Sequence, residues 1–418
     1  MDVLAPLSVA AIAEDLLSNF TLRWWQTSAS LPAFKSSYSA LSQRLNEKEL
    51  DQFSGRLLAE AKSPHQTPEM RQALQDRLGQ QAAQFGKLAL GLTDRHLEAI
   101  RSYGFWDSAA DFARQARQFD PEISMDNITQ AWRNVWSMNL MQLLFGLPVE
   151  VTPAVFAYSM LYPITDNYLD DPAVTLETKR AFNKRFRQRL EGNAIIPANL
   201  HEHKVCDLVE MIEARFERQR FPQVYESLLL IHAAQGRSVA LQSGRAMPYE
   251  MDTLSICFDK GGASTLADAY LVAGDLTPAQ AEFAYYYGCV TQLVDDLEDV
   301  DSDLRAGIMT IFSQSAAGHW MLDNLTNRSI QFSMEMAKAM QPFINPHLAP
   351  LQEMIELSLP LVFIDSVGLS LRNFTHSYSQ TLEEHFPFRF ASLNNQRKRL
   401  YQKRKSLNDL AGIMLVGI

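Results

Sequence analysis

Two short segments of the chain carry closely spaced aspartates whose type and spacing could support metal chemistry. Acidic block 1 is residues 166–171, and acidic block 2 is residues 295–303. The aspartates concerned are Asp166, Asp170 and Asp171 in block 1, and Asp295, Asp299 and Asp303 in block 2. Side chains four residues apart share one face of a helix, so each block would form a row of carboxylates. Like charges in a row are tolerated most readily beside a cation, and carboxylate oxygens suit Mg²⁺. The two blocks therefore predict magnesium binding.

The segments that position these blocks are predicted to be helices. Apolar residues recur at spacings of three and four along most of the chain, while the alternation typical of strands is scarce. One helix start is well marked, because Thr277, Pro278 and Gln280 suit an N-cap, a first helical position and a capping-box partner. We expect this helix to run from Pro278 to about Asp303. Block 2 would then lie at its C-terminal end, where the helix dipole disfavours carboxylates and a cation would compensate.

Prolines and glycines near the two blocks leave local alternatives open. Pro163 predicts that the helix carrying block 1 either kinks or begins there, and Pro172 predicts that it ends after Asp171. Gly261 and Gly262 lie in an otherwise helical stretch. They predict either a helix break that opens backbone groups towards a ligand or an ordinary loop.

Composition limits the classes of function. The 418 residues include 47% hydrophobic side chains, enough for a large core, and the formal net charge of −10 argues against a nucleic-acid partner. Three cysteines without close spacing argue against disulfide bonds and a zinc site. No stretch approaches the roughly 20 apolar residues that span a membrane, and the N-terminus has no basic leader. We therefore expect a soluble cytoplasmic protein with an all-α fold.

The sequence around block 2 resembles a known motif. It reads Gln292-Leu-x-Asp295-x-Leu-x-Asp299-Val-x-x-Asp303-x-Arg305-x-Gly307, which is similar to the second aspartate-rich motif of squalene and phytoene synthases. The same aspartates have the spacing of the metal-binding triad of class I terpene synthases. Block 1 has the Asp-x-x-x-Asp-Asp form of the squalene and phytoene synthase type, although no arginine precedes Asp166. The resemblance covers residues 160–190 and 255–307 and is to the class I isoprenoid synthase superfamily.

The resemblance implies a fold and a reaction. The fold would be the class I isoprenoid synthase helical bundle around a central cavity, formed by residues 121–418, with residues 1–120 as an N-terminal helical extension. The cofactor would be Mg²⁺, held by six of the aspartates of the two blocks, Asp166, Asp170, Asp171, Asp295, Asp299 and Asp303, with Asp166, Asp170, Asp295 and Asp299 as the catalytic residues. The reaction would be ionisation of a prenyl diphosphate, followed by condensation with a second prenyl chain. A terpene synthase that cyclises the substrate is the alternative, and a non-catalytic helical protein with acidic helix ends is the third interpretation.

Further residues are candidates for substrate binding by their position relative to the two blocks. The basic candidates for the diphosphate are Arg180, Lys184, Arg245, Lys260 and Arg305. The candidates for the cavity wall are Tyr158, Tyr162, Tyr287, Gly288 and Gln292. Solvated helix surface and ordinary core packing are the alternative roles of these two groups. The sequence also leaves two interpretations undecided. One is peripheral membrane contact through the basic stretch 389–405, and the other is formation of a homodimer.

Overall fold

The computed structural model describes residues 8–62, 67–171, 173–239, 241 and 251–416, with the backbone alone at positions 68, 170 and 413–416. Every regular element in these residues is helical, which confirms the predicted all-α class. The helices are α1 (Val9–Gln26), α2 (Ala40–Glu60), α3 (Pro68–Leu90), α4 (Asp94–Ser102), α5 (Phe105–Phe119), α6 (Met125–Leu144), α7 (Pro153–Asp170), α8 (Leu176–Leu190), α9 (Leu200–Arg215), α10 (Pro222–Ser238), α11 (Thr253–Ala273), α12 (Pro278–Glu298), α13 (Val300–Ala306), α14 (Ile311–Ala317), α15 (Asp323–Ala339), α16 (Ala349–Leu369), α17 (His376–Glu383), α18 (Phe390–Tyr401) and α19 (Arg404–Val416). No helix in the described part of the chain combines the length and apolar character needed to cross a membrane.

The chain forms two compact units that interleave along the sequence. Unit 1 comprises Met1–Leu22, Asp107–Leu241 and Leu254–Gln292, and unit 2 comprises Arg23–Trp106, Gln242–Thr253 and Leu293–Ile418. The division passes through α12, so block 1 belongs to unit 1 and block 2 to unit 2. The predicted organisation into residues 1–120 and 121–418 stays a prediction.

In unit 1, helix α7 carries block 1 and packs against α6 and α9. Its N-cap is Thr152, whose hydroxyl accepts a hydrogen bond from the Val155 backbone N–H (3.2 Å), and the helix begins at Pro153. The helix continues through Pro163, so the prediction that it could begin there is wrong. It ends at Asp170, and the extended backbone of Asp171 confirms the predicted break.

Helices α11 and α12 cross very closely in unit 1. Helix α11 runs uninterrupted through Gly261 and Gly262, so both the predicted helix break and the predicted loop are wrong. A Cβ atom on Gly288 of α12 would overlap the Gly261 carbonyl oxygen and the Thr265 hydroxyl. The Thr265 hydroxyl also donates to the Ala284 carbonyl (2.7 Å) across the same crossing. The glycines therefore allow two helix backbones to approach each other, and the helical penalty of glycine is offset by this packing.

Replacing Gly288 with alanine is expected to destabilise unit 1 by about 1–3 kcal/mol, because a backbone carbonyl inside a helix cannot move aside for the added methyl group. Chemical denaturation monitored by circular dichroism measures the change. The control is Gly236→Ala in α10, where the added Cβ meets open space. That control is expected to be neutral or to stabilise by up to about 1 kcal/mol. Equal effects of the two substitutions would contradict the packing argument.

Unit 2 is built from α2 to α4 and α13 to α19. Helix α16 packs against α4, α15, α17 and α18, while α2, α3 and α19 contact one another. Within the basic stretch 389–405, Arg389 donates from its backbone N–H to the Glu47 carboxylate (3.0 Å), and its guanidinium pairs with the same group. Arg397 pairs with Asp365. Two cations of this stretch therefore serve the packing of unit 2, and its contact with a membrane stays a prediction.

Candidate functional site

Block 2 extends over the end of α12 and the start of the next helix. The predicted uninterrupted helix to Asp303 is wrong, because α12 ends at Glu298 and Asp299 forms the turn before α13. The turn preserves the helical spacing all the same. The Asp299 N–H donates to the Asp295 carbonyl (2.9 Å), and the Asp303 N–H donates to the Asp299 carbonyl (2.8 Å). The three aspartates therefore follow one another at one-turn intervals, as the sequence pattern predicts.

The aspartates of block 2 differ in their surroundings. Asp295 and Asp299 are exposed, and Asp303 is half-buried. The Asp299 carboxylate accepts a hydrogen bond from the Ser302 hydroxyl (3.1 Å). Asp301 has a different role, because its carboxylate accepts hydrogen bonds from the Arg372 guanidinium (3.1 Å) and the Asn373 amide (2.9 Å). Asp295 and Asp299 thus face solvent, while Asp301 holds two parts of unit 2 together.

Block 1 occupies the last turn of α7 and the residue after it. Asp166 is half-buried, and the side chain of Asp170 lies outside the described part of the structure. Asp171 is exposed, and its carboxylate accepts a hydrogen bond from the Ala173 backbone N–H (2.8 Å). That bond stabilises the turn that follows α7, so Asp171 has a structural role of its own.

The donor chemistry of both blocks fits magnesium. All the ligands they offer are carboxylate oxygens, and Asp295 and Asp299 are open to solvent. Among the residues that the structure describes, no three His, Cys, Asp or Glu side chains form a group that could hold a metal. Magnesium seldom needs such a group, because it is usually bound by one or two carboxylates together with water and substrate phosphates. The residues are therefore compatible with magnesium that binds together with a phosphorylated ligand.

The predicted diphosphate-binding residues lie on several elements. Arg180 and Lys184 are exposed on α8, Lys260 is half-buried in α11, and Arg305 is exposed in the last turn of α13. Arg245 lies outside the described residues. The neighbouring basic residues of α8 form ion pairs: Arg185 with Glu202, Arg187 with Glu191, and Arg189 with Glu213. Three basic residues of this segment therefore already have carboxylate partners within unit 1.

The predicted cavity residues do not share one environment. Tyr162 is exposed, whereas Tyr158 and Tyr287 are half-buried. Gly288 lies in the crossing of α11 and α12, and a Cβ on Gly261 would lie 2.8 Å from the Gln292 Cβ in the same crossing. The structure therefore brings Gly288 and Gln292 together against α11. Tyr158 and Tyr287 are brought together in a different way, by a carboxylate outside the two acidic blocks.

That carboxylate is Asp268 of α11, which is completely buried. Its Oδ1 accepts a hydrogen bond from the Asn134 amide (3.1 Å), and its Oδ2 lies 3.0 Å from the Ser137 hydroxyl. Ser137 is also hydrogen-bonded to the Tyr287 hydroxyl. The Tyr158 hydroxyl bonds to Ser264 and is close enough to Asp268 to feel its charge. Residues of α6, α7, α11 and α12 thus meet around one buried acid.

Burial dominates the titration of these groups. It raises the pKa of the Asp268 carboxyl to about 8, although the hydrogen bonds from Ser137 and Asn134 act in the opposite direction. Burial also raises the pKa of the Tyr287 hydroxyl to about 12, and the charge of Asp268 adds to that effect while the bond to Ser137 opposes it. Burial likewise raises the pKa of the Tyr158 hydroxyl. Burial therefore favours the uncharged form of each of these three groups.

A signal for Asp268 is present in the sequence. It is the one charged residue in the apolar run Leu266-Ala-Asp-Ala-Tyr-Leu-Val-Ala273. A lone acid within such a run is rarely left without hydrogen-bonding partners, because a buried unpaired charge is very costly. Its hydrogen-bonding partners are more than 130 positions away in the chain, however, so the apolar run alone does not indicate which residues they are.

Comparison of the chain with protein-family models, with curated proteins and with solved structures gives no match. What each unit can do follows from its own residues. Unit 2 offers the exposed carboxylates of Asp295 and Asp299. Unit 1 offers the acidic block 1 at the end of α7 and a buried acid hydrogen-bonded towards a tyrosine of α12.

Proposed function

We propose that the protein is a Mg²⁺-dependent isoprenoid synthase, which ionises a prenyl diphosphate and condenses the carbocation with a second prenyl chain. The observation that carries the proposal is the row formed by Asp295, Asp299 and Asp303 at one-turn intervals, with the first two exposed. This row lies within the motif that resembles the second aspartate-rich motif of squalene and phytoene synthases. The Asp-x-x-x-Asp-Asp form of block 1 adds support from a separate part of the chain.

The residues that would hold magnesium are the aspartates of the two blocks: Asp166, Asp170, Asp171, Asp295, Asp299 and Asp303. Bound magnesium supplies positive charge that stabilises the departing diphosphate. Asp295 lies in the last turn of α12, where the helix dipole disfavours a carboxylate and a bound cation would relieve that cost, whereas Asp303 lies in the first turn of α13, where the dipole favours it. The stability of the row and the binding of the cofactor would therefore be linked.

The protein's own side chains have separate tasks in this proposal. Lys260 and the exposed Arg180, Lys184 and Arg305 would donate hydrogen bonds to the diphosphate, whose oxygens take the electron pair of the broken carbon–oxygen bond. The aromatic faces of Tyr158 and Tyr287 would stabilise the carbocation by cation–π attraction. A double bond of the second prenyl chain would then supply the electron pair of the new carbon–carbon bond, and a proton is lost from the product.

Cyclisation is the second candidate, and one specific observation favours it. The spacing of Asp295, Asp299 and Asp303 also matches the metal-binding triad of class I terpene synthases. In that case a double bond within the same prenyl chain would capture the carbocation, and one chain would give one product.

Incubation of the full-length protein with farnesyl and with geranylgeranyl diphosphate, with and without Mg²⁺, tests the proposal. Mass spectrometry of the extracted products is expected to show a Mg²⁺-dependent product with twice the carbon count of the substrate. A product with the carbon count of one chain would replace condensation with cyclisation. The absence of Mg²⁺-dependent diphosphate release from any prenyl diphosphate would reject both.

A further inference from the structure

The buried cluster around Asp268 contains a continuous path of hydrogen bonds with a fixed donor at one end. The Asn134 amide nitrogen can only donate, so Asp268 Oδ1 accepts from it whether or not the carboxyl is protonated. The proton of the neutral acid is therefore carried on Oδ2, which faces the Ser137 hydroxyl at 3.0 Å. Ser137 in turn reaches the Tyr287 hydroxyl. The path runs from Asn134 through Asp268 and Ser137 to Tyr287.

The direction in which hydrogen bonds are donated along this path depends on whether Asp268 carries its proton. When Asp268 is neutral, its Oδ2–H donates to Ser137, and the Ser137 hydroxyl donates to Tyr287, which leaves the Tyr287 hydrogen free to donate elsewhere. When Asp268 is ionised, Ser137 must donate to the carboxylate and can only accept from Tyr287. The Tyr287 oxygen then presents its lone pairs instead. One proton on a completely buried acid thus changes a half-buried tyrosine from donor to acceptor.

We propose that Asp268 is a positioning residue for Tyr287, and that through Ser137 its protonation state decides whether the Tyr287 hydroxyl acts as a donor or as an acceptor. The consequence for catalysis rests on the proposed function. An acceptor oxygen stabilises a nearby carbocation, whereas a donor hydrogen directs positive charge towards it. Asp268 would therefore control the step that follows ionisation of the diphosphate, without touching the substrate.

The surroundings of Asp268 suit this role. Its carboxyl has no access to solvent, so its charge acts at short range with little screening. The titratable groups that face it are the hydroxyls of Tyr158 on α7 and Tyr287 on α12, and both stay neutral near pH 8 because burial raises the pKa of each. Asn134 and Ser137, both of α6, supply the hydrogen bonds. Within the part of the chain that the structure describes, a charge change on Asp268 therefore acts on the Tyr287 hydroxyl through Ser137, and neither tyrosine titrates with it.

The test uses the full-length protein labelled with tyrosine that carries ¹³C at the ring carbon bonded to the hydroxyl. The Tyr287 signal is assigned by its loss in Tyr287→Phe. In the wild type this signal is expected to shift with a midpoint near pH 8, the pKa of Asp268. The shift is expected to disappear in Asp268→Asn, which keeps the shape of the side chain, and in Ser137→Ala, which keeps the acid but breaks the path. Tyr158→Phe is the matched control and is expected to retain it.

The outcomes separate this inference from the proposed function, because the titration needs no turnover. A wild-type Tyr287 signal that does not move near pH 8, or that moves equally in Asp268→Asn, overturns the inference even if the protein is an isoprenoid synthase. The titration with the expected losses supports the link even if no prenyl diphosphate is turned over. With an active enzyme, the pH profile of product formation is expected to inflect near pH 8 in the wild type and to lose that inflection in Asp268→Asn.

Discussion

Asp295→Asn and Asp299→Asn are each expected to lower Mg²⁺-dependent turnover of a prenyl diphosphate by at least about 100-fold. A metal ion contributes several kcal/mol to stabilisation of transition-state charge, and each ~1.4 kcal/mol corresponds to a factor of ten in rate. Asparagine retains one oxygen ligand but loses the negative charge that holds Mg²⁺. Both side chains are exposed, so the fold is expected to remain intact. Steady-state rates at increasing Mg²⁺ concentration measure the loss, and circular dichroism checks the fold.

The chain offers a matched control for this result within the same acidic block. Asp301→Asn removes one negative charge two residues from Asp299, and the remaining amide oxygen can still accept the bond from Asn373. This variant is expected to keep its turnover within about a factor of three, because exposed and partly exposed charges contribute little by themselves. Asp166→Asn extends the comparison to block 1, where a loss comparable to that of Asp295→Asn is expected. Full activity in the Asp295, Asp299 and Asp166 variants would contradict a catalytic role of the two blocks.

The local signals around the start of α12 predicted the structure there correctly. The capping box at the start of α12 is present, since the Thr277 N–H donates to the Gln280 side chain (2.9 Å) and the Gln280 N–H donates back to the Thr277 hydroxyl (3.3 Å). Gly274 has a positive φ of 77° and follows the last turn of α11, as a helix terminator should. These features are decided by residues three or four positions apart, which a single sequence displays directly.

Features decided by distant residues could not be predicted in the same way. Gly261 and Gly262 break no helix, because the close approach of α12 requires glycine there, and nothing in their own segment shows that approach. Likewise, the partners of Asp268 are on α6, and its burial depends on the packing of four helices. The one-turn spacing of Asp295, Asp299 and Asp303 was predictable because it depends on helical periodicity alone. The row in block 1, and the ligands of both blocks, stay predictions.

The second large effect concerns stability and pH. Asp268→Asn is expected to gain stability relative to the wild type as pH rises from about 5 to about 8. The pKa of the buried carboxyl is about 8 in the folded protein, whereas an unfolded aspartate has a pKa of about 3.9. Between these values the unfolded chain releases a proton that the folded chain retains. Wild-type stability therefore falls with rising pH in this window and levels off above pH 8, at up to about 1.4 kcal/mol per pH unit.

Asparagine removes this dependence because it does not titrate. Its carbonyl oxygen can accept from Asn134 and its amide can donate to Ser137, so both hydrogen bonds of the neutral acid have a counterpart. The two proteins are thus expected to be similar below about pH 4 and to differ by about 5 kcal/mol near pH 8. Urea unfolding at a series of pH values measures both free energies, and other titrating groups cancel in the difference.

Asp275→Asn, in the exposed loop between α11 and α12, removes the same charge without touching the cluster and controls for net charge. A pH-dependent difference that appears equally in that control would contradict the assignment to Asp268, as would parallel curves for the wild type and Asp268→Asn. An acid that costs the fold stability above pH 5 and could be replaced by asparagine at no loss of hydrogen bonds needs a reason to be there. Control of the Tyr287 hydroxyl is such a reason. Only a group that can gain and lose a proton can reverse the direction of the hydrogen bond between Ser137 and Tyr287.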